Sequence, residues 1–324
     1  MTSFKLLILC GLFLLSRALT GQKDNEKPGL FKRYVNSLIH EPENPAQPQF
    51  LIYPTLAYAP ETSWEIGLSA LYVFYAKRDT VNRLSEISSF TFYTLENQYG
   101  GYVEHALYSN QDKYFFLGRI RYQSFPLLYH GIGPFTPEEH LASVDGNFFL
   151  IKERVLRETI PSLYIGAEFD YQHLSDVTFN HTDPENPIQL PAGSEGSSNL
   201  GLGLGIVYDN RHNVLNVRKG LFNELAFLRY DKSWSSDFNF TSVVIDNRIY
   251  RPINTRDVLA AQLFGQFTIA GQAPFNQLAL MGGESIMRGY YLGRYRDNNL
   301  ITGQVEYRFL PLPFGFSKRF GASL

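Results

Sequence analysis

The histidines are the residues best suited to catalysis or metal binding, and their spacing forms no recognisable active site. The chain has seven of them; none follows the HExxH pattern of a zinc protease, and no serine stands in a G-x-S-x-G elbow. His105 and His173 fall in predicted strands, where a serine–histidine site for lipid hydrolysis would be conceivable. A lone strand histidine is more often structural, so we expect no enzyme, no catalytic residue, no cofactor and no metal site. The other histidines are His40, His130, His140, His181 and His212.

A more specific arrangement is an arginine in a glycine-rich segment, residues 282–290, which reads GGESIMRGY. If this segment enters a confined interior, Arg288 needs a carboxylate, because an unpaired charge there is expensive. Glu306, on the polar face of the next predicted strand, is the best available partner. Gly289 lets the backbone turn tightly, and Tyr290 is placed to stack on an inner wall. The alternative is an Arg-Gly-Tyr sequence in an ordinary solvated loop.

The composition indicates which elements must position these residues. Aromatic residues make up 15% and charged residues 19% of the 324 residues, with 26 glycines and one cysteine. The mean hydropathy is −0.18, and no apolar run near 20 residues follows the start, which excludes a bundle of membrane-spanning helices. A formal net charge of −2 gives no reason to expect a nucleic-acid partner. The composition therefore favours many short amphipathic strands.

The first 49 residues predict export. Lys5 precedes an apolar run, 6–15, and small residues follow it, so residues 1–21 are predicted to be a cleaved signal peptide. Cys10 lies inside this apolar run, so the mature chain is expected to have no cysteine. Residues 22–49 are polar and contain four prolines. They predict a periplasmic linker, since an independent domain typically needs about 50 residues or more.

From residue 50 onward, apolar and polar residues alternate along short segments that are punctuated by turn signals. In 301–309, for example, Ile301, Val305 and Tyr307 share one face, while Gln304 and Glu306 lie on the other. This pattern predicts twelve strands, near 50–58, 63–76, 85–95, 99–108, 113–123, 145–157, 162–174, 198–209, 221–230, 238–250, 257–269 and 298–309.

Such a series forms either a soluble sandwich or a membrane barrel, and two features favour the barrel. The strands run to about 10 residues, the length that a tilted strand needs to cross the hydrocarbon. Aromatic residues gather near strand ends, as interfacial girdles do. Long connections at 124–144, 175–197 and 270–297 alternate with mostly shorter turns. We therefore predict an all-β fold, a transmembrane antiparallel β-barrel, over 50–324.

The 282–290 segment resembles the conserved loop of the BamA/TamA superfamily of outer-membrane assembly factors and two-partner secretion transporters. In that family, an apolar residue, an Arg-Gly pair and an aromatic residue lie on a loop that folds back into the barrel lumen. The matching residues here are Met287, Arg288, Gly289 and Tyr290. The segment around Glu306 is similar to the strand that follows this loop in the family.

A second segment, 209–220, resembles the family's turn after the eighth strand. The residues that match are Asp209, Arg211, Asn213 and Gly220. The sequence departs from the family in having His212 where an acidic residue is usual and Val217 where a proline is usual.

The resemblance implies a barrel of sixteen strands, of which twelve to thirteen are present. The chain is therefore expected to lack about four C-terminal strands, or roughly 70 residues, because a barrel that ended in mid-strand would leave an open edge in lipid. The predicted position of the Arg288 loop, between strands eleven and twelve, agrees with its position in the family.

The resemblance also implies a function in the outer membrane of a Gram-negative bacterium. There the protein would insert or translocate polypeptides, or lipids. The alternatives are a passive channel or structural barrel and, third, an outer-membrane lipid hydrolase. The expected partners are outer-membrane lipids and lipopolysaccharide, client barrel proteins and periplasmic accessory proteins, with no nucleic acid.

Overall fold

A computed structural model describes residues 44, 46–59, 63–124, 126–211, 214, 216–283, 286–309 and 322–323. The predicted signal peptide, 1–21, and residues 22–43 of the predicted linker lie outside this part of the chain. The same is true of Asn213 and His212 in the 209–220 turn. Predictions about these residues therefore stay predictions.

The described residues are organised as β-strands, with short 3₁₀ turns at Ala76–Arg78, Asn110–Asp112 and Lys232–Trp234. All twelve predicted strands are confirmed, most of them within two or three residues. The strands are β1 (Gln49–Ala59), β2 (Ser63–Tyr75), β3 (Leu84–Thr94), β4 (Tyr99–Tyr108), β5 (Tyr114–Ser124), β6 (Leu127–Tyr129), β7 (Ala142–Ile160), β8 (Leu163–His181), β9 (Ser197–Asp209), β10 (Gly220–Tyr230), β11 (Phe240–Pro252), β12 (Asp257–Gly271), β13 (Ala279–Met281), β14 (Tyr295–Asp297), β15 (Asn299–Phe309) and β16 (Ala322–Ser323).

The strands form one large antiparallel sheet in the order β1-β2-β3-β4-β5-β7-β8-β9-β10-β11-β12-β15-β16. Neighbours in this order are also neighbours in sequence, apart from the short β6, which adds to β7, and the separate β13–β14 pair. Along this path the sheet has thirteen strands, which confirms the prediction of twelve to thirteen. In β16, Ser323 lies opposite Arg308 of β15.

The β7–β8 hairpin is longer than predicted. We expected a connection from residue 175, but β8 continues to His181, and β7 begins at Ala142. Ser175 and Asp176 fall at the start of that expected connection. The sheet accommodates them as a bulge, where the register with β7 shifts between Asp145 and Asn147 and Asp176 takes a φ of 54°.

The exposure pattern of the strands is the reverse of that in a soluble sandwich. In β9, Leu202, Leu204 and Ile206 are exposed. Gly201, just before them, and Gly205, between Leu204 and Ile206, are buried. Leu204 is 62% exposed. Apolar side chains therefore cover the outer surface, as the hydrocarbon of a bilayer requires.

The polar side chains lie on the inner, concave face of the sheet. The hydroxyl of Tyr108 in β4 donates a hydrogen bond of 3.0 Å to Asp209 at the end of β9, although three strands of the sheet separate them. Tyr108 also packs in one buried cluster with Phe115, Leu156 and Phe222 from β5, β7 and β10. These contacts require a strongly curved sheet, so the fold has the architecture of a transmembrane barrel.

The connections alternate between the two ends of the strands. The long connections 130–141, 182–196 and 272–298 lie at one end, the long-connection end, together with the 231–239 turn. The opposite end, the short-turn end, carries 79–83, 113, 161–162, 210–219 and 253–256. The connection 210–219 is the longest of these turns. Within the described residues, no helix is long and apolar enough to cross a membrane.

The outward apolar face gives a first prediction. Replacing Leu204, which is near the middle of β9, by arginine is expected to destabilise the barrel in vesicles by about 2–4 kcal/mol, the cost of a charge at the bilayer midplane. The measurement is reversible guanidinium unfolding in lipid vesicles. Gln189→Arg, in an exposed connection, is the control and should change stability little. Equal losses in both variants would contradict the outward placement of Leu204.

Candidate functional site

The connection between β12 and β15 contains the predicted loop. Its base is the β13–β14 hairpin, in which Ala279 lies opposite Asp297. Beyond this hairpin, the Gly283 amide donates to the Tyr290 carbonyl over 2.8 Å. Gly282 has a φ of 118°, and a Cβ there would lie 1.9 Å from the Tyr291 carbonyl oxygen, so only glycine fits. The glycines of this segment thus allow a tight turn that presents residues 286–290.

The tip of this loop folds back along the inner wall of the sheet. Arg288 lines a cavity of about 210 Å³ together with residues of β11, β12 and β15. The connection begins after Gly271, at one end of β12. Ala260, which lines the cavity together with Arg288, is close to the other end of this strand. The loop tip therefore reaches along most of the length of β12. The other residues around the cavity are Arg248, Tyr250, Ala261, Gln262, Gln304, Glu306 and Arg308.

The wall of this cavity is a chain of hydrogen-bonded polar side chains. Gln304 donates to Gln262 over 2.6 Å, and Gln262 donates to Asp246 over 2.9 Å. Arg248 Nε also donates to Asp246, over 3.0 Å. The strands are adjacent in the order β11-β12-β15, so this chain of bonds crosses all three of them. The wall is therefore an ordered polar surface.

The structure brings Arg288 and Glu306 to the same cavity, although 17 positions separate them in the sequence. Glu306 also accepts a hydrogen bond of 2.8 Å from Arg308, and Arg308 lies over the Tyr250 ring at 5.3 Å. The ion pair between Arg288 and Glu306 stays a prediction, as do the roles of Met287, Gly289 and Tyr290. Met287 and Gly289 both have positive φ angles, of 58° and 99°.

The base of the loop is fastened to the connection that follows β5. Tyr291 donates to the Pro126 carbonyl over 2.8 Å, and Arg294 donates to the Thr136 hydroxyl over 2.7 Å. The Gly133 amide donates to the Arg296 carbonyl over 2.9 Å. Local sequence patterns do not predict these contacts, because the two connections lie more than 150 positions apart.

Arg296 lies at the centre of this attachment and is 2% exposed. Its guanidinium lies 5.1 Å from the Tyr129 ring centre and 5.5 Å from that of Phe275, and it donates to the Phe275 carbonyl over 3.4 Å. Within the described residues, no carboxylate forms an ion pair with it. Burial lowers the pKa of Arg296 to about 10. Aromatic faces and a carbonyl therefore hold this cation in place.

The 209–220 turn forms a second buried charge cluster, at the short-turn end. Asp209 is fully buried, and Arg211 donates to both of its carboxylate oxygens, over 2.9 Å each. Arg83, from the connection after β2, lies 3.3 Å from the same carboxylate. Gly220 has a φ of 123°, and a Cβ there would lie 2.7 Å from the Arg211 Cα, so the turn requires glycine at this position.

Two members of this cluster, Arg83 and Tyr108, were missed by sequence reasoning. Arg83 donates to the Arg211 carbonyl over 3.0 Å and lies over the Tyr108 ring at 5.0 Å. Burial opposes charge on Arg211, but its hydrogen bonds to Asp209 outweigh this effect and hold its pKa above the usual range. The cluster joins two different connections and the end of β4, so it ties together the short-turn ends of strands that are far apart in the sheet.

The turn and the loop cavity meet at two aromatic residues. The guanidinium groups of Arg211 and Arg248 lie over the Phe222 ring, at 4.6 Å and 5.3 Å, and Arg248 lines the cavity. Val217, which stands where the family has proline, is buried against Tyr250 of the cavity wall. The two segments that carry the family resemblance therefore adjoin one another in the folded chain.

Comparison with known proteins identifies the family. The profile described as the Omp85 superfamily domain matches residues 150–324, more than half of the chain. The chain belongs to the Omp85 superfamily. This confirms the predicted family resemblance. No curated protein matches the chain.

Two solved structures of this superfamily are similar to the chain. BamA from Haemophilus ducreyi lacking POTRA domains 1–3 is 14% identical to this chain, with a TM-score of 0.49. The match covers 84% of this chain and 55% of that BamA chain. CdiB from Escherichia coli is 10% identical to this chain, with a TM-score of 0.51. The match covers 83% of this chain and 49% of the CdiB chain. The chain thus spans about half the length of these two proteins, and the likeness to CdiB is one of fold.

Other chemistry has little support in the described part of the chain. No three of its histidine, cysteine, aspartate and glutamate residues are grouped as metal ligands. His105 lies on the outward face of β4 with Nε2 2.9 Å from Glu153, across Gly118 of β5. The expectation of a protein without enzyme activity stays a prediction.

The buried turn cluster leads to a second prediction. Asp209→Asn leaves Arg83 and Arg211 buried without a carboxylate, and should cost about 3–5 kcal/mol of unfolding free energy, as breaking a buried ion pair does. Guanidinium unfolding followed by tryptophan fluorescence measures this loss. Glu139→Gln, the same change at an exposed site, is expected to have little effect. If the two variants unfold alike, the cluster does not stabilise the fold.

The loop cavity leads to a third prediction. Arg288→Ala and Glu306→Ala should each speed chymotrypsin cleavage after Tyr290 by about ten-fold, because a charge-assisted hydrogen bond contributes about 1.5 kcal/mol or more. Chymotrypsin is chosen because neither substitution removes a site for this protease. Lys232→Ala, which removes an exposed cation elsewhere, is the control. Unchanged cleavage and heat stability in both variants would show that the predicted ion pair is absent.

Proposed function

We propose that this protein inserts or translocates polypeptides at the outer membrane, with barrel proteins as its clients. The observation that carries the proposal is the loop of residues 282–293, whose base is fastened at one end of the barrel. Its tip, with Arg288, lies on a polar wall near the other end. Such a loop can respond to a polypeptide inside the barrel and transmit its presence to the strands of that wall. We further propose that residues 1–21 direct export and are cleaved.

The inner face supports a function other than free diffusion through a wide pore. Arg154 of β7 lies 2.9 Å from Glu168 and 2.6 Å from Glu224, and it is almost fully buried. Lys152 adds a second cation 2.9 Å from Glu168. These side chains come from β7, β8 and β10, so charged groups fill part of the interior. A polypeptide is better suited than a small solute to displace such groups in a concerted way.

The first strand supports a role in strand pairing. Phe50, Leu56 and Tyr58 of β1 are more than 60% exposed, and among the described residues β1 pairs with β2 alone. Pro54 lacks an amide hydrogen, so this strand forms a weaker hydrogen-bonding edge than a proline-free strand would. We propose that this edge is the place at which a client strand is received.

The fourth prediction tests this function directly. Vesicles that contain the refolded protein should accelerate folding of an unfolded eight-stranded client barrel at least several-fold over empty vesicles, measured by heat-modifiable gel mobility. Arg288→Ala should lower this acceleration because it loosens the loop tip, whereas Lys232→Ala should retain it. A client folding rate equal to that in empty vesicles would overturn the proposal.

The polar inner wall and its cavity of about 210 Å³ favour a passive channel as the second candidate. The same vesicles distinguish the two candidates in a planar-bilayer recording. A steady conductance that large solutes block, together with no acceleration of client folding, would identify a channel. Acceleration of client folding that Arg288→Ala lowers would identify an insertion factor.

A further inference from the structure

The two ends of the barrel carry opposite charge. At the short-turn end, six exposed cations stand in the connections or at the strand ends: Lys77, Arg78, Lys113, Arg157, Arg251 and Arg256. Within the described chain, none of these six forms an ion pair with a carboxylate. Their charge is therefore directed to the surroundings of the protein.

The acidic side chains at the same end are occupied locally. Asp112 accepts the Arg83 amide over 3.0 Å, Glu158 accepts the Ser162 amide over 2.9 Å, and Asp79 accepts the Val81 amide over 3.0 Å. Asp257 accepts the hydroxyl of Tyr307 over 2.9 Å. These carboxylates stabilise turns and strand ends. A hydrogen bond from a neutral donor leaves each of them charged, so the four offset part, but not all, of the positive charge of the six cations.

Two of the cations lie on the outer, lipid-facing side of the sheet. Arg157 of β7 stands between Tyr114 and Ile165 of the neighbouring strands, and both of these side chains are outward and more than a third exposed. The preceding residue, Leu156, points inward and is fully buried. Arg157 therefore lies at the rim of the apolar belt.

Arg251 occupies the equivalent position on β11. It lies opposite Leu259 of β12, which is outward and 41% exposed, and it follows the buried Tyr250. Lys113 lies over the ring of Tyr114 at 5.8 Å. A cation next to an outward aromatic ring at the edge of an apolar belt is at the depth of lipid headgroups.

The long-connection end has the opposite character. Its exposed charges are mainly acidic, and include Glu96, Glu138, Glu139, Asp183, Glu185 and Glu195. The formal net charge of the whole chain is only −2. The positive charge of the short-turn end therefore arises because cations and carboxylates are distributed unevenly between the two ends of the barrel. Net charge alone would not indicate it.

We propose that the short-turn end binds the phosphate groups of anionic phospholipids in the leaflet that surrounds it, through a ring of cations that includes Arg157 and Arg251. These two cations lie on the lipid-facing side of strands, rather than at the mouth of the lumen, which favours a lipid over an acidic soluble protein. The ring orients the barrel and holds anionic lipid beside β7 and β11. This inference goes beyond the proposed function and does not depend on it.

Lipid selectivity of the full chain, reconstituted in phosphatidylcholine bilayers, tests the proposal. Electron paramagnetic resonance with spin-labelled lipids gives the association constant of phosphatidylglycerol relative to phosphatidylcholine at the protein surface. We expect a preference for phosphatidylglycerol of about five-fold, the factor that one basic residue near an anionic surface supplies. High salt should weaken this preference, and Arg157→Gln/Arg251→Gln should lower it at least about two-fold.

The control matches the change in net charge. Lys232→Gln/Gln189→Glu also lowers the net charge by two, but at exposed sites of the long-connection end, and should keep the selectivity. Arg157→Lys/Arg251→Lys should keep it as well and shows that the positions tolerate substitution. A wild type without preference would overturn the proposal. So would a double glutamine variant, shown to be folded by its heat-modifiable mobility, that keeps the full preference, or an equal loss in the control.

Discussion

In a bilayer, every backbone amide and carbonyl must find a partner within the protein, since the hydrocarbon offers none. Between β1 and β15, the antiparallel sheet meets this constraint by pairing neighbouring spanning strands, whereas among the described residues the outer edge of β1 has no partner strand. Because side chains alternate across a strand, the same pairing decides which residues meet lipid. Leucines and isoleucines then lie outside and charged residues lie inside, as in β8 and β9, so one constraint sets both the architecture and the polarity of its two faces.

Once the charges lie inside, they must neutralise one another within a small volume, and this requirement shapes the site. Arg154, Glu168 and Glu224 form one group, and Asp209, Arg83 and Arg211 form another at the short-turn end. Each group joins residues from strands or turns that are not consecutive. The curvature of the sheet and the burial of charge are therefore coupled, because opening the curve would separate the ions that it buries.

Much of this fold follows from local patterns in the sequence, whereas the site depends on contacts that those patterns do not contain. The strands were predictable because alternation and turn residues are local signals, and the loop around Arg288 was found through its motif. The contacts of Asp209 with Arg83 and Tyr108 connect positions more than 100 residues apart and depend on how tightly the sheet curves. The β13–β14 hairpin has only three residues in each strand, too few for a period. The β8 bulge at Ser175 and Asp176 was assigned to the connection from residue 175, because bulges and loops use the same residue types.

The departure from the family at Val217 is explained by what lies beneath the loop cavity. Val217 packs against Tyr250, Val258 and Ala260, and two of these residues also line the cavity that holds Arg288. Proline and valine both supply a compact apolar side chain without a polar atom, and packing of this kind depends on volume more than on identity. Asp209, Arg211 and Gly220 have no such freedom, because a bidentate ion pair and a left-handed backbone each require one residue type. The turn can therefore vary where it fills space beneath the loop, and is constrained where it carries charge or reverses the chain.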